Sequence, residues 1–144
     1  MKLSGSYEFN ASPEKVWQKL TDPASLSACI PGCEKMEAVG NDEYRATVTV
    51  SMGPIRSKFG ATVKMLDLNP HESYRLIIEG SGPSGFVKGE SQVKLTANGG
   101  ATTVDVDSES SSGGLLARVG QRMIESFARG MMDRFFTCLQ KSVN

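Results

Sequence analysis

The C-terminal run of residues 113–144 constrains the fold most strongly, because it reads as one long amphipathic helix. Apolar residues recur there at steps of three and four, as on one face of a helix, and no proline interrupts the run. A helix of roughly 28 residues would span about 42 Å and would need a large apolar surface to lie on. The apolar positions are Leu115, Leu116, Val119, Met123, Ile124, Phe127, Met131, Phe135, Cys138 and Leu139.

The residues before this helix supply such a surface, because they read as strands in which apolar and polar residues alternate. A first strand over residues 2–10 is followed by two helix starts, Ser12-Pro13 and Asp22-Pro23, each a capping residue before proline. About six more strands follow, joined by short turns, which predicts an antiparallel meander. We therefore predict an α+β fold: a curved antiparallel sheet of about seven strands, two short helices after strand 1, and the long helix on the apolar face.

Composition narrows the class of protein. A chain of 144 residues, 39% of them hydrophobic, fits one domain over residues 1–144. Sixteen basic and sixteen acidic residues cancel, and no basic stripe contains aromatic residues, so we expect no nucleic-acid partner. Three cysteines are an odd number, and residues 1–5 do not resemble a signal peptide, which favours a reducing, cytoplasmic location. No apolar run approaches the roughly 20 residues that span a bilayer.

Small residues interrupt the apolar face of the predicted sheet. They are Gly5, Ala61, Gly80, Gly89, Ser91 and Ser108. Either they let a strongly bent sheet close on the helix, or they leave a cavity of about 300–1,000 Å³ for an apolar ligand. The residues alone leave both alternatives open. The candidate lining residues are Tyr7, Phe59, Val63, Met65, Leu76, Ile78, Val87, Ser91, Met123, Phe127 and Met131. Tyr7, Tyr44 and Ser91 are the candidates for orienting a ligand carbonyl.

Residues that perform catalysis or bind metal are scarce at the predicted inward positions. The one histidine, His71, lies in a predicted turn, and we expect it at the surface. Cys29 and Cys33 lack the two further ligands of a zinc site, so we expect no metal and no cofactor. Acid–base catalysis needs a titratable group within hydrogen-bond reach of the substrate. We therefore favour a binding protein over an enzyme.

Several motifs resemble those of the carbon monoxide dehydrogenase G-subunit family, within the polyketide cyclase/START-like (SRPBCC, Bet v 1-like) helix-grip superfamily. The similarity covers essentially the whole chain. The Pro-Glu-x-Val-Trp opening is widespread in the superfamily, whereas the Ile-Pro-Gly-Cys and Gly-Pro-Ile turns are more specific to this family. The matching residues are Gly5, Ala11 to Trp17, Leu20, Asp22, Pro23, Leu26, Ile30 to Cys33, Gly53 to Ile55, Phe59, Gly85, Gly89, Gly114 to Ala117 and Gly120.

The resemblance implies a helix-grip fold with a hydrophobic cavity between sheet and helix. It implies an accessory protein of a carbon monoxide dehydrogenase-like molybdenum hydroxylase, acting in membrane recruitment or maturation and binding a quinone or lipid. Peripheral contact with the inner face of the membrane would follow. Two alternatives remain: a polyketide cyclase-like enzyme that uses the same cavity, and a ligand-free protein-interaction module with a filled core.

Overall fold

The computed structural model describes residues 1–143. The strands in this part of the chain are β1 (Lys2–Phe9), β2 (Cys33–Gly40), β3 (Glu43–Met52), β4 (Ile55–Asn69), β5 (Ser73–Gly82), β6 (Gly85–Asn98) and β7 (Ala101–Gly113). The helices are α1 (Pro13–Leu20), α2 (Pro23–Cys29), a 3₁₀ segment (Gly114–Val119) and α3 (Gln121–Val143).

The seven strands form one sheet in the order β1-β7-β6-β5-β4-β3-β2, and every neighbouring pair is antiparallel. Strands β2 to β7 are a meander of neighbours in sequence, and β1 pairs with β7. The curved sheet wraps around α3, which confirms the predicted α+β helix-grip fold. None of the helices in residues 1–143 is both long and apolar enough to cross a membrane.

The two short helices begin where the capping signals predict. The side chain of Ser12 accepts a hydrogen bond from the Lys15 amide at 3.4 Å, and that of Asp22 accepts one from the Ser25 amide at 3.3 Å. A proline fills the first turn of each helix, where its missing N–H costs nothing. Their buried side chains, Val16, Leu20, Leu26 and Cys29, join the core beside the C-terminal half of α3.

The long helix exists, but it begins later than the sequence predicts. Residues 114–119 form the 3₁₀ segment, and α3 starts only at Gln121. Gly114 and Gly120 have φ angles of +75° and +97°, in the region that favours glycine. A helix cannot continue through such an angle, so the predicted start at Gly113 is wrong. The 23 residues of α3 extend about 35 Å.

The buried apolar side chains divide into two clusters. The main cluster packs α1, α2 and the C-terminal half of α3 against the sheet, and Val16, Val104 and Leu139 are fully buried within it. The second cluster, here called the tip cluster, lies where the 3₁₀ segment meets the sheet. Its members are Met52, Phe59 and Leu116, with the half-buried Val50, Ile55, Val87, Val119, Ile124 and Phe127.

A disulfide joins Cys29 at the end of α2 to Cys138 on α3, and Cys33 is a free thiol. The sequence analysis considered Cys29 together with Cys33 and did not anticipate this pair, because 109 residues separate its two members. The bond ties the short-helix layer directly to the long helix.

Candidate functional site

A band of small side chains crosses the inward face of the sheet between the two apolar clusters. Strand register joins its members: Ala46 pairs with Ala61, and Ala61 pairs with Gly80. On the next strands Gly89 pairs with Ser110, and Ser91 pairs with Ser108. We call this set the small-residue band: Ala46, Ala61, Gly80, Gly89, Ser91, Ser108 and Ser110.

The space above the middle of this band holds no side chain from α3. A Cβ placed on Gly80 would meet only the Ala61 Cβ and the Gly60 carbonyl oxygen, each at 3.8 Å. A Cβ placed on Gly89 would meet only the Ser110 Cβ at 3.5 Å and the Glu109 carbonyl oxygen at 3.8 Å. All of these atoms belong to the sheet. The helix therefore stands away from the sheet here and leaves a gap.

Gly5 on β1 has the opposite surroundings. A Cβ there would lie 2.8 Å from the Tyr7 hydroxyl and 3.1 Å from the Met132 sulfur. Gly5 thus allows α3 to approach the sheet closely, whereas Gly80 and Gly89 lie under open space. The two interpretations of the small residues hold at different places in the sheet.

Most of the predicted lining residues surround this gap. Phe59, Val63 and Met65 are buried on β4, whereas Leu76, Ile78, Val87 and Ser91 are half-buried on β5 and β6. From α3, the half-buried Phe127 packs on the tip cluster and Phe135 on the main cluster. Met131 lies between them in sequence, on the same side of the helix by its spacing, and is half-buried. Incomplete burial of inward apolar residues is consistent with an accessible gap.

Tyr7 serves to attach α3 to β1. Its hydroxyl donates a 2.7 Å hydrogen bond to Oδ1 of Asp133, and its ring stacks on Phe136 at a centroid distance of 4.3 Å. Burial, followed by the neighbouring Asp133 carboxylate, raises the pKa of Tyr7 to about 12. Tyr7 therefore stays protonated at neutral pH, and its one hydroxyl hydrogen is already donated.

The other two candidate hydroxyls lie in different surroundings. The Oγ atoms of Ser91 and Ser108 are 2.6 Å apart and form a hydrogen bond with each other across β6 and β7. Tyr44 is buried within the main cluster. His71 lies in an exposed turn, with its ring edge-on to Trp17 at a centroid distance of 6.2 Å.

Met123 lies outside the gap. Its side chain is 40% exposed, and its sulfur would be 2.6 Å from a Cβ placed on Gly53 in the β3–β4 turn. The helical spacing that suggested Met123 was counted through Gly120, where the helix is in fact interrupted. A residue that the sequence analysis did not select, Ser57, is buried on the inward face beside Phe59. Strand alternation predicts its side of the sheet, but not its hydrogen bonding.

Comparisons with known proteins identify the family. The family model for the carbon monoxide dehydrogenase G subunit (CoxG) matches residues 5–144. The crystal structure of a conserved protein from Geobacillus kaustophilus is 34% identical, with a TM-score of 0.95 over 99% of this chain and 95% of that one. Among proteins of curated function, none matches this chain.

More distant structures share the fold alone. A START superfamily protein from Mycobacterium smegmatis is 17% identical, with a TM-score of 0.73, over 99% of this chain and 96% of that one. The Zhui aromatase/cyclase from Streptomyces sp. R1128 is 11% identical, also with a TM-score of 0.73, over 99% and 93% of the two chains. The match along nearly the whole sequence and the shared architecture show that the chain belongs to the CoxG family of carbon monoxide dehydrogenase.

Proposed function

We propose that the protein holds a small hydrophobic ligand in the gap between the sheet and α3, and that it is a binding protein rather than an enzyme. The observation that carries this proposal is the open space above Gly80 and Gly89, bounded by apolar side chains. Membership of the family and the START-like fold support binding of a hydrophobic ligand. A filled interaction module would instead place helix side chains over these glycines.

The surroundings of the gap suit an apolar guest. Leu76, Ile78 and Val87 face it only half-buried, and a ligand that covers their remaining surface gains about 25 cal/mol per Å² before ordering costs. Met131 on α3 has an unbranched side chain that adapts to irregular shapes. These features favour a flexible lipophilic molecule, such as a quinone or lipid, over a polar metabolite.

We further propose that the protein is an accessory of a carbon monoxide dehydrogenase-type molybdenum hydroxylase and acts at the inner face of the membrane. Exposed apolar side chains lie at the end of the molecule formed by the β3–β4 and β5–β6 turns. Met123 lies against the first turn, and the Leu116 amide donates to the Ser84 carbonyl of the second at 2.8 Å, which places the exposed Leu115 there too. Arg118 and Arg122 flank these residues in sequence, a combination that suits an anionic lipid surface.

A matched pair of glycine substitutions tests whether the gap binds ligand. Gly80→Ile places a side chain in the gap, whereas Gly60→Ile, on the neighbouring strand, points to the outer face, where a Cβ meets nothing within 4 Å. We expect Gly80→Ile to weaken binding of the neutral fluorophore N-phenyl-1-naphthylamine by about tenfold, because it overfills the site. Gly60→Ile should bind like the wild type. Equal affinity in both variants, with wild-type circular dichroism spectra, would contradict a site at this position.

A further inference from the structure

Ser57 is a polar residue in an apolar part of the inward face. Its nearest same-face neighbours along β4 are Ile55 and Phe59, and it pairs with Val50 on β3. All three belong to the tip cluster, which Leu116 of the 3₁₀ segment also joins. Ser57 itself is only 9% exposed.

The hydroxyl of Ser57 has no hydrogen-bond partner among residues 1–143, and its Oγ is inaccessible to solvent. Thr102, the other buried polar residue, donates from Oγ1 to the Ala11 carbonyl oxygen at 2.8 Å. Burial of an unpaired hydroxyl costs free energy, so buried polar groups normally have a partner. An alanine would fill nearly the same volume without that cost. The hydroxyl therefore needs an explanation that packing does not supply.

We infer that the Ser57 hydroxyl is the hydrogen-bond partner of an oxygen on the bound ligand. This inference rests on the proposed function and adds an orientation to it. Ser57 is four residues from Ala61 of the small-residue band, which is about 13 Å along a strand. The ligand class is thus an elongated apolar molecule whose carbonyl or hydroxyl oxygen lies at the tip-cluster end. Its hydrocarbon part lies over Gly80 and Gly89.

Two probes that differ only in their oxygens test this assignment: 2-decyl-1,4-naphthoquinone and 2-decylnaphthalene. Ser57→Ala is compared with Ser51→Ala, an exposed serine of β3 near the same turn. We expect Ser57→Ala to weaken binding of the quinone about two- to tenfold and to leave the hydrocarbon unaffected, as for the loss of one hydrogen bond. Ser51→Ala should change neither affinity.

The outcomes separate this inference from the proposed function. If the wild type binds neither probe, the proposed function fails and the inference fails with it. If the wild type binds both probes and Ser57→Ala does not discriminate between them, only the role of Ser57 is overturned. The ligand-free Ser57→Ala protein should also melt at or above the wild-type temperature, because it loses an unpaired buried hydroxyl. A clearly lower melting temperature would show that the hydroxyl has a partner within the protein and would overturn the inference.

Discussion

Replacing Leu139 with alanine is expected to lower the free energy of unfolding by about 2–5 kcal/mol. Leu139 is 0% exposed and lies in the main cluster, where α3 meets α1, α2 and the sheet. The truncation removes apolar contacts and leaves a cavity that a close-packed core fills only in part. Urea denaturation followed by circular dichroism measures the change.

The matched control is Leu115→Ala, the same substitution at a residue that is 55% exposed. A surface truncation should change the free energy of unfolding by no more than about 0.5 kcal/mol. If the two variants were equally stable, Leu139 could not occupy the core position described here, and the packing of α3 on the sheet would be incorrect.

Reducing the Cys29–Cys138 disulfide is expected to lower the free energy of unfolding by about 2–5 kcal/mol. The bond closes a loop with a sequence separation of 109 residues, and in the chain-entropy account a long loop gives a large stabilisation. Denaturation with and without dithiothreitol measures the loss. Cys138→Ser should reproduce it, and dithiothreitol should then have no further effect on that variant.

Cys33→Ser serves as the control, because Cys33 is the free thiol. This variant should keep the full response to dithiothreitol. Thiol titration of unreduced, denatured wild-type protein should find one thiol per chain. Three thiols in protein alkylated before cell lysis would show that the disulfide is absent in the cell, in agreement with the reducing location expected from the sequence.

The sheet was predictable from sequence because alternation in β3, β4 and β7 records which face is buried. Tyr44, Phe59 and Val104 all lie on the side that their pattern indicates. The interruption of the helix was less accessible, because the apolar spacing continues through Gly120 and only the backbone angle breaks the helix there. Periodicity reports side-chain faces, not the φ angle of a glycine.

The candidate site was predictable in outline only. Strand alternation placed Val63, Ile78 and Val87 on the face that borders the gap. It did not separate Gly5, which permits helix contact, from Gly80, which lies under open space, because both are glycines on the same face. The unpaired hydroxyl of Ser57 likewise depends on distances between elements that lie far apart in the sequence.

Native mass spectrometry of gently purified protein, followed by solvent extraction, tests the central claim most directly. The account predicts a complex heavier than the chain by one lipophilic molecule, which extraction releases as a quinone or lipid that carries oxygen. The complex should be retained in Gly60→Ile and lost in Gly80→Ile. A wild-type protein that carries no such molecule, and whose melting temperature is unchanged by a panel of quinones and lipids, would contradict a ligand-binding role.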